Sequence, residues 1–163
     1  GALANDIFKA KGYEVGESRV SSSAVDLSSI ATHPKIRVPG DVVVQSGPAT
    51  STKLPTEVLA SEKIMDAGPN TMQYLQSEIS KAKCILWNGP LGLYEKGFKP
   101  PTLDLARMIA GSGAKTILGG GDTLAAIEEL GLLEKFTFVS TGGGAMLDFL
   151  ANGTLPGIQA LEK

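Results

Sequence analysis

The chain has 163 residues, 42% of them apolar, which is one domain's length with enough apolar side chain for a proper core. Fifteen basic against 17 acidic residues leave a net charge of −2, and without a basic run or an interleaving of basic and aromatic residues no nucleic-acid partner is expected. No apolar run reaches the roughly 18 residues of a membrane span and no secretory pattern opens the chain, so no membrane partner and no export are expected.

In chain order, Gly1 to Ala10 has helical apolar spacing at Leu3, Ile7 and Ala10, with no strand ahead of it, so an α/β chain looks cut at this end. Gly12 ends the periodic run, and Ser21 to Ser23 with Ser28 and Ser29 make a polar connection around a short helix. The only histidine, His33, precedes Pro34 in a loop without a second ligand nearby and reads as a surface residue. Val42 to Val44, in a predicted strand over 41–45, is too uniformly apolar for a one-sided sheet and suits a buried parallel strand.

Gln45 to Lys53, rich in Ser, Thr, Gly and Pro, reads as a loop. Gly68-Pro69 then breaks the chain before a helix whose Met72, Leu75, Ile79 and Ala82 form an ordinary core face. Its start is either an anion site or simply a proline in a first helical turn, the second reading being the stronger. The lone cysteine, Cys84, lies in an apolar run before Trp87; it rules out a disulfide framework, is expected buried, and suits a reducing, cytoplasmic setting. The strand over 84–87 ends in the sharp turn Asn88-Gly89-Pro90, followed by Gly92, Leu93, Tyr94 and Glu95. Leu93 could pack on a flat heterocycle and Glu95 accept from a sugar diol; the alternative is a hydrophobic loop folded on its own sheet. Lys99-Pro-Pro101 stops the loop, and Thr102 to Ala110 returns as a helix.

The stretch Lys115-Thr-Ile-Leu-Gly-Gly-Gly-Asp-Thr-Leu124 is an apolar strand running through three glycines into a helix. Gly119, Gly120 and Gly121 can turn N–H groups toward one oxyanion, and the helix adds the positive end of its dipole. Phe136 to Ala145 repeats the device at Gly142 to Gly144. Tight packing explains one such loop as well as phosphate binding does; two in succession favour phosphate. Asp122 suits a helix cap, and also Mg²⁺ held by one carboxylate and several phosphate oxygens. Strands near 41–45, 84–87, 115–118 and 136–139, separated by helices, predict an α/β fold, a parallel sheet with helices on both faces. Gly121 followed by Asp122 fails a Walker A loop, Leu124 and Leu147 fail the dinucleotide fingerprint, and no Gly-x-Ser-x-Gly elbow or nucleophile–base pair exists.

Trp87-Asn-Gly-Pro-Leu-Gly-Leu-Tyr-Glu95, Gly119-Gly-Gly-Asp-Thr123 and Ser140-Thr-Gly-Gly-Gly-Ala145 in this order resemble the nucleotide-binding domain of the phosphoglycerate kinase family. Asp66-x-Gly-Pro69, Val38-Pro39 with Asp41 to Val44, and Leu155-Pro-Gly157 match as well, so the resemblance runs through nearly the whole chain. It implies a Rossmann-like three-layer domain, incomplete at its amino-terminal edge, with residues 1–163 forming part of one nucleotide-binding domain. It further implies reversible phosphoryl transfer from 1,3-bisphosphoglycerate to ADP, giving 3-phosphoglycerate and ATP in glycolysis, with Mg²⁺ as cofactor and a monomeric parent enzyme. By the same resemblance, Asn88 and Pro90 line the nucleotide site, Met65 and Leu93 contact adenine, and Glu95 holds the ribose. Gly119, Gly120, Gly121 and Thr123 meet the phosphates, Asp122 takes the metal, and Gly121, Gly142 and Gly143 face the transferring phosphoryl group. Tyr94 stands where the family usually has Phe, and Lys99-Pro-Pro101 departs from the usual segment. The arginine-bearing domain that binds phosphoglycerate and the lysines of a first βα unit are not in the sequence, so the chain alone is expected to be inactive. The rival readings are a non-catalytic nucleotide-binding module and a structural α/β interaction domain.

Overall fold

The computed structural model describes residues 1–21 and 26–161; Ser22 and Ser23 of the expected polar connection lie outside them. The chain divides into two compact units, Gly1–Ser77 with Leu91–Thr102, and Glu78–Pro90 with Leu103–Lys163.

The first unit is built on an antiparallel sheet. Strand β1 (Val42–Ser46) pairs with β2 (Ala49–Lys53) on one side and β3 (Lys63–Ala67) on the other, both antiparallel. This corrects the reading of Val42 to Val44 as a parallel strand. The run is apolar because β1 is the central strand, with Val42 and Val44 in the core alongside Phe8, Val15, Val58 and Ile64, and Val43 half-buried. The loop expected over 45–53 is corrected too: Gly47 (φ +56°) and Pro48 turn a hairpin, Ser46 facing Ala49. Its second strand, Ala-Thr-Ser-Thr-Lys, is a largely exposed edge strand, so it carries no apolar alternation to betray it.

Helix α1 (Ala2–Ala10) forms as expected, but it buries Asn5, Ile7 and Phe8, while Leu3 and Ala10 stay exposed. The side-chain amide of Asn5 donates to the Arg19 carbonyl at 2.8 Å, and Phe8 stacks on Tyr13 with ring centroids 6.2 Å apart. The short helix α2 (Ser28–Ala31) follows, and His33 is exposed, accepting the Lys35 N–H at Nδ1. Helix α3 (Pro69–Ile79) starts at Pro69, where a missing N–H costs nothing; Met72, Leu75 and Ile79 are half-buried.

The second unit holds the parallel sheet. Strands β4 (Cys84–Asn88), β5 (Lys115–Gly119) and β6 (Phe138–Ser140) lie side by side in that order, joined through helices α4 (Pro100–Ala110) and α5 (Gly121–Glu129). Helix α6 (Gly143–Asn152) leaves β6, and α7 (Pro156–Leu161) comes last. Trp87, Leu105, Ala106, Ile109, Leu118, Ala126 and Ile127 are buried. The register aligns Leu86, Ile117 and Phe138 on one sheet face, and Met146 of α6 packs over Gly119 at the carboxyl end of that face. Toward the amino end Leu86 and Phe138 remain 41% and 57% exposed. Cys84 is exposed rather than buried, because it opens β4 with the parity of Leu86.

Candidate functional site

In the second unit the carboxyl ends of the three parallel strands bring the glycine-rich loops together. Asn88 is paired with Gly119, and Gly119 with Ser140. Gly120 takes φ +90°, a region where a side chain is strained, and this lets β5 turn directly into α5. A Cβ on Gly120 would stand 2.5 Å from the Asn88 side-chain oxygen; one on Gly143 would strike the Gly120 nitrogen and come within 2.8 Å of its Cα. The two loops therefore touch backbone to backbone, with the Asn88 amide wedged against both. No other residue type fits at Gly120 and Gly143.

Both helices begin without a side-chain cap. The intrahelical ladder starts with Leu124 N–H on the Gly120 carbonyl in α5 and Met146 N–H on the Gly142 carbonyl in α6. Amides 121–123 and 143–145 thus have no acceptor within their own helices, and they sit where the helix dipole is positive. Gly121, Asp122, Gly142 and Gly144 are exposed. Thr123 is fully buried, and its hydroxyl accepts the Gly89 N–H at 2.7 Å. Trp87 Nε1–H donates to the Gly89 carbonyl at 2.7 Å, so the turn carrying Asn88 and Pro90 is held from both sides.

In the first unit the segment Leu91 to Glu95 is tied to β3. Leu93 N–H donates to the Met65 carbonyl at 2.9 Å, and Leu91 N–H to the hydroxyl of the buried Thr102 at 3.1 Å. Leu93 is half-buried and Glu95 exposed, while Met65 is almost wholly buried. Lys99 places its ammonium 4.7 Å from the centroid of the Tyr94 ring, a cation–π contact that gives the unassigned Lys99-Pro-Pro101 segment a structural task.

Two buried aspartates frame this unit. Asp41 closes the start of α3: its carboxylate accepts the N–H groups of Asn70 (2.9 Å) and Thr71 (2.7 Å) and the Thr71 hydroxyl (2.6 Å). The α3 start is therefore filled by the protein's own carboxylate, which the sequence did not foretell; Pro69 does open the helix, as the stronger sequence reading had it. Asp66, on β3, accepts among the described residues only the Ala67 N–H, at 2.8 Å, and its Oδ2 is buried without a partner there. Burial pushes its carboxyl up to about 6, against the pull of the Ala67 N–H and the Gly1 ammonium.

The family model described as phosphoglycerate kinase matches residues 1–153. The chain belongs to the phosphoglycerate kinase family. It is 41% identical, over an alignment of 175 residues covering all of this chain and 44% of the relative, to a phosphoglycerate kinase of Nitratidesulfovibrio vulgaris (strain DSM 19637 / Miyazaki F). Its fold matches the structure of phosphoglycerate kinase from Coxiella burnetii with a TM-score of 0.86 at 35% identity, over 99% of this chain and 44% of that one. The enzyme from Pyrococcus horikoshii OT3 matches with 0.78 at 31% identity, over 98% and 43%. The chain thus spans under half the length of the relatives it matches.

As a member of the phosphoglycerate kinase family, the chain keeps its expected site residues in two groups. Asn88, Pro90, Gly119 to Thr123, Gly142 and Gly143 belong to the second unit, Met65, Leu93 and Glu95 to the first. Sequence reading missed Asp41, Asp66 and Thr102, each of which fixes backbone rather than standing on a surface. Their traces were the Asp66-x-Gly-Pro69 motif and the Asp41 to Val44 run, whose aspartates carried no role in the sequence reading.

Proposed function

We propose that these residues are the nucleotide-binding part of a phosphoglycerate kinase, serving reversible phosphoryl transfer from 1,3-bisphosphoglycerate to ADP in glycolysis. The observation that carries this reading is the pair of uncapped helix starts, α5 and α6, meeting where Gly143 lies on Gly120. In the second unit, the amides at Gly121 to Thr123 and at Gly143 would take the nucleotide's terminal phosphates and the transferring group. Such preorganised donors stabilise a loose phosphoryl-transfer transition state without covalent help. Thr123 serves through the Gly89 turn it holds. In the first unit, Met65 and Leu93 would meet adenine and Glu95 the ribose.

Asp122, exposed in the first turn of α5, would hold Mg²⁺, which supplies charge neutralisation on the phosphates when bound. Among the described residues no three His, Cys, Asp or Glu side chains cluster, so the fit is to a cation liganded mainly by phosphate and water. Both units are taken as parts of one nucleotide-binding domain of a cytoplasmic, monomeric enzyme, and the 163 residues alone should hold nucleotide without turnover.

Calorimetry with Mg-ADP, on this chain alone and after adding the remaining part of a phosphoglycerate kinase, tests this. Binding that strengthens on mixing and gains turnover supports it. Normal turnover by the chain alone, or no binding by the chain alone, overturns it, and binding that never gains turnover favours a non-catalytic nucleotide module.

A further inference from the structure

Asp41 and Asp66 make a natural comparison within one unit. Both are almost wholly buried, and both have a glycine laid on the carboxylate: a Cβ on Gly68 would collide with all three atoms of the Asp41 group, and one on Gly92 with all three of Asp66. Asp41 has three donors and closes a helix. Asp66 has one donor from its own neighbour and a bare, buried oxygen, so hydrogen bonding does not account for its place. A buried polar oxygen without a partner is costly. What Asp66 touches instead is Gly92. One residue on, Leu93 N–H is bonded to the carbonyl of Met65, the residue before Asp66. The loop is therefore registered on β3 at two consecutive points, Gly92 on the Asp66 carboxylate and Leu93 on the Met65 carbonyl.

We propose that Asp66 is a positioning residue for nucleotide binding: its carboxylate is the spacer under Gly92 that sets where Leu93 and Glu95 stand. This rests on the functional reading above, in which Leu93 and Glu95 serve the base and ribose. The contact acts through shape, so Asn, which keeps both the outline and the acceptor for Ala67 N–H, replaces Asp, whereas Ala leaves a gap and lets the segment sink. The phosphate loops belong to the other unit and should not sense the change.

The test measures binding of Mg-ADP and of Mg-pyrophosphate, which has no base or ribose, to the full chain and to the Asp66→Ala, Asp66→Asn and Gly92→Ala variants. Asp66→Ala should weaken Mg-ADP about tenfold and leave Mg-pyrophosphate within about twofold, Asp66→Asn should restore Mg-ADP, and Leu93 N–H should lose hydrogen-exchange protection in the Ala variant only. Gly92→Ala, which lifts the segment instead of lowering it, should show the same selective loss and decides the matter if Asp66→Ala does not fold. Unchanged Mg-ADP affinity in a folded Asp66→Ala or Gly92→Ala variant, or equal loss of both ligands, overturns the proposal alone. Failure of the unaltered chain to bind Mg-ADP overturns the functional reading with it.

Discussion

Among the described residues three helices begin after a strand and a short glycine-bearing turn, and their starts are built in two ways. At α3 the amides of Asn70 and Thr71 are closed by the buried carboxylate of Asp41, and Gly68 is glycine because that carboxylate lies against it. At α5 and α6 no side chain caps the first turn, and Gly143 is glycine because the Gly120 backbone lies against it. Glycine is forced in both cases, by an internal anion in one and by a second loop in the other. A glycine-rich helix start binds an external anion only where the protein has not already supplied one.

The contrast breaks most sharply at the contact between the two loops. Gly143→Ala must push backbone against backbone, and Gly120→Ala adds a positive φ to a clash with Asn88, so each should cost on the order of 3 kcal/mol in urea unfolding and abolish Mg-ADP binding. Gly144→Ala meets nothing within 4 Å and, inside a helix, should raise stability by up to about 1 kcal/mol. Next, Asp41→Ala removes the filled cap of α3 and should cost about 2 kcal/mol in the same measurement while leaving Mg-ADP affinity within about twofold.

The two aspartates also separate by pH. The Asp66 carboxyl titrates at about 6 when folded against an ordinary 3.8, so the folded chain holds its proton more tightly than the unfolded one. The resulting stability is fully present below about pH 4 and is lost as pH rises through about 6, an effect on the order of 2 kcal/mol. Asp66→Asn should flatten that slope of unfolding free energy between pH 4 and 7. The smallest effect on stability falls on Asp122, which is exposed: Asp122→Asn should change unfolding by less than about 0.5 kcal/mol. It should nevertheless weaken ADP binding in the presence of Mg²⁺ and leave binding without Mg²⁺ unchanged, which calorimetry in the two buffers would read.

The parallel half of the fold was legible because its strands end in glycines and its helices carry a clear apolar spacing; β4, β5 and α5 fall within a residue or two of their expected places. The antiparallel half was not. β2 has a loop's composition because it is an exposed edge, and the orientation of β1 depends on partners that its own three valines do not specify. Exposure misled at Cys84 and Leu3 for a related reason: an apolar pattern shows which side could be buried, while the neighbours decide how far. At the candidate site, the loops that expose backbone could be read from glycine spacing. Asp41, Asp66 and Thr102, which fix the α3 start and the Leu91 to Leu93 segment in the first unit, act on residues too far along the chain for a local pattern to carry.

The most direct test of the difference between filled and open helix starts is an amide-resolved titration of the chain with Mg-ADP by NMR. Backbone signals of residues 120–123 and 142–145 should move together and saturably, while those of Asn70 and Thr71 stay still. Binding that leaves both glycine loops unmoved, or that shifts the α3 amides instead, would contradict the account.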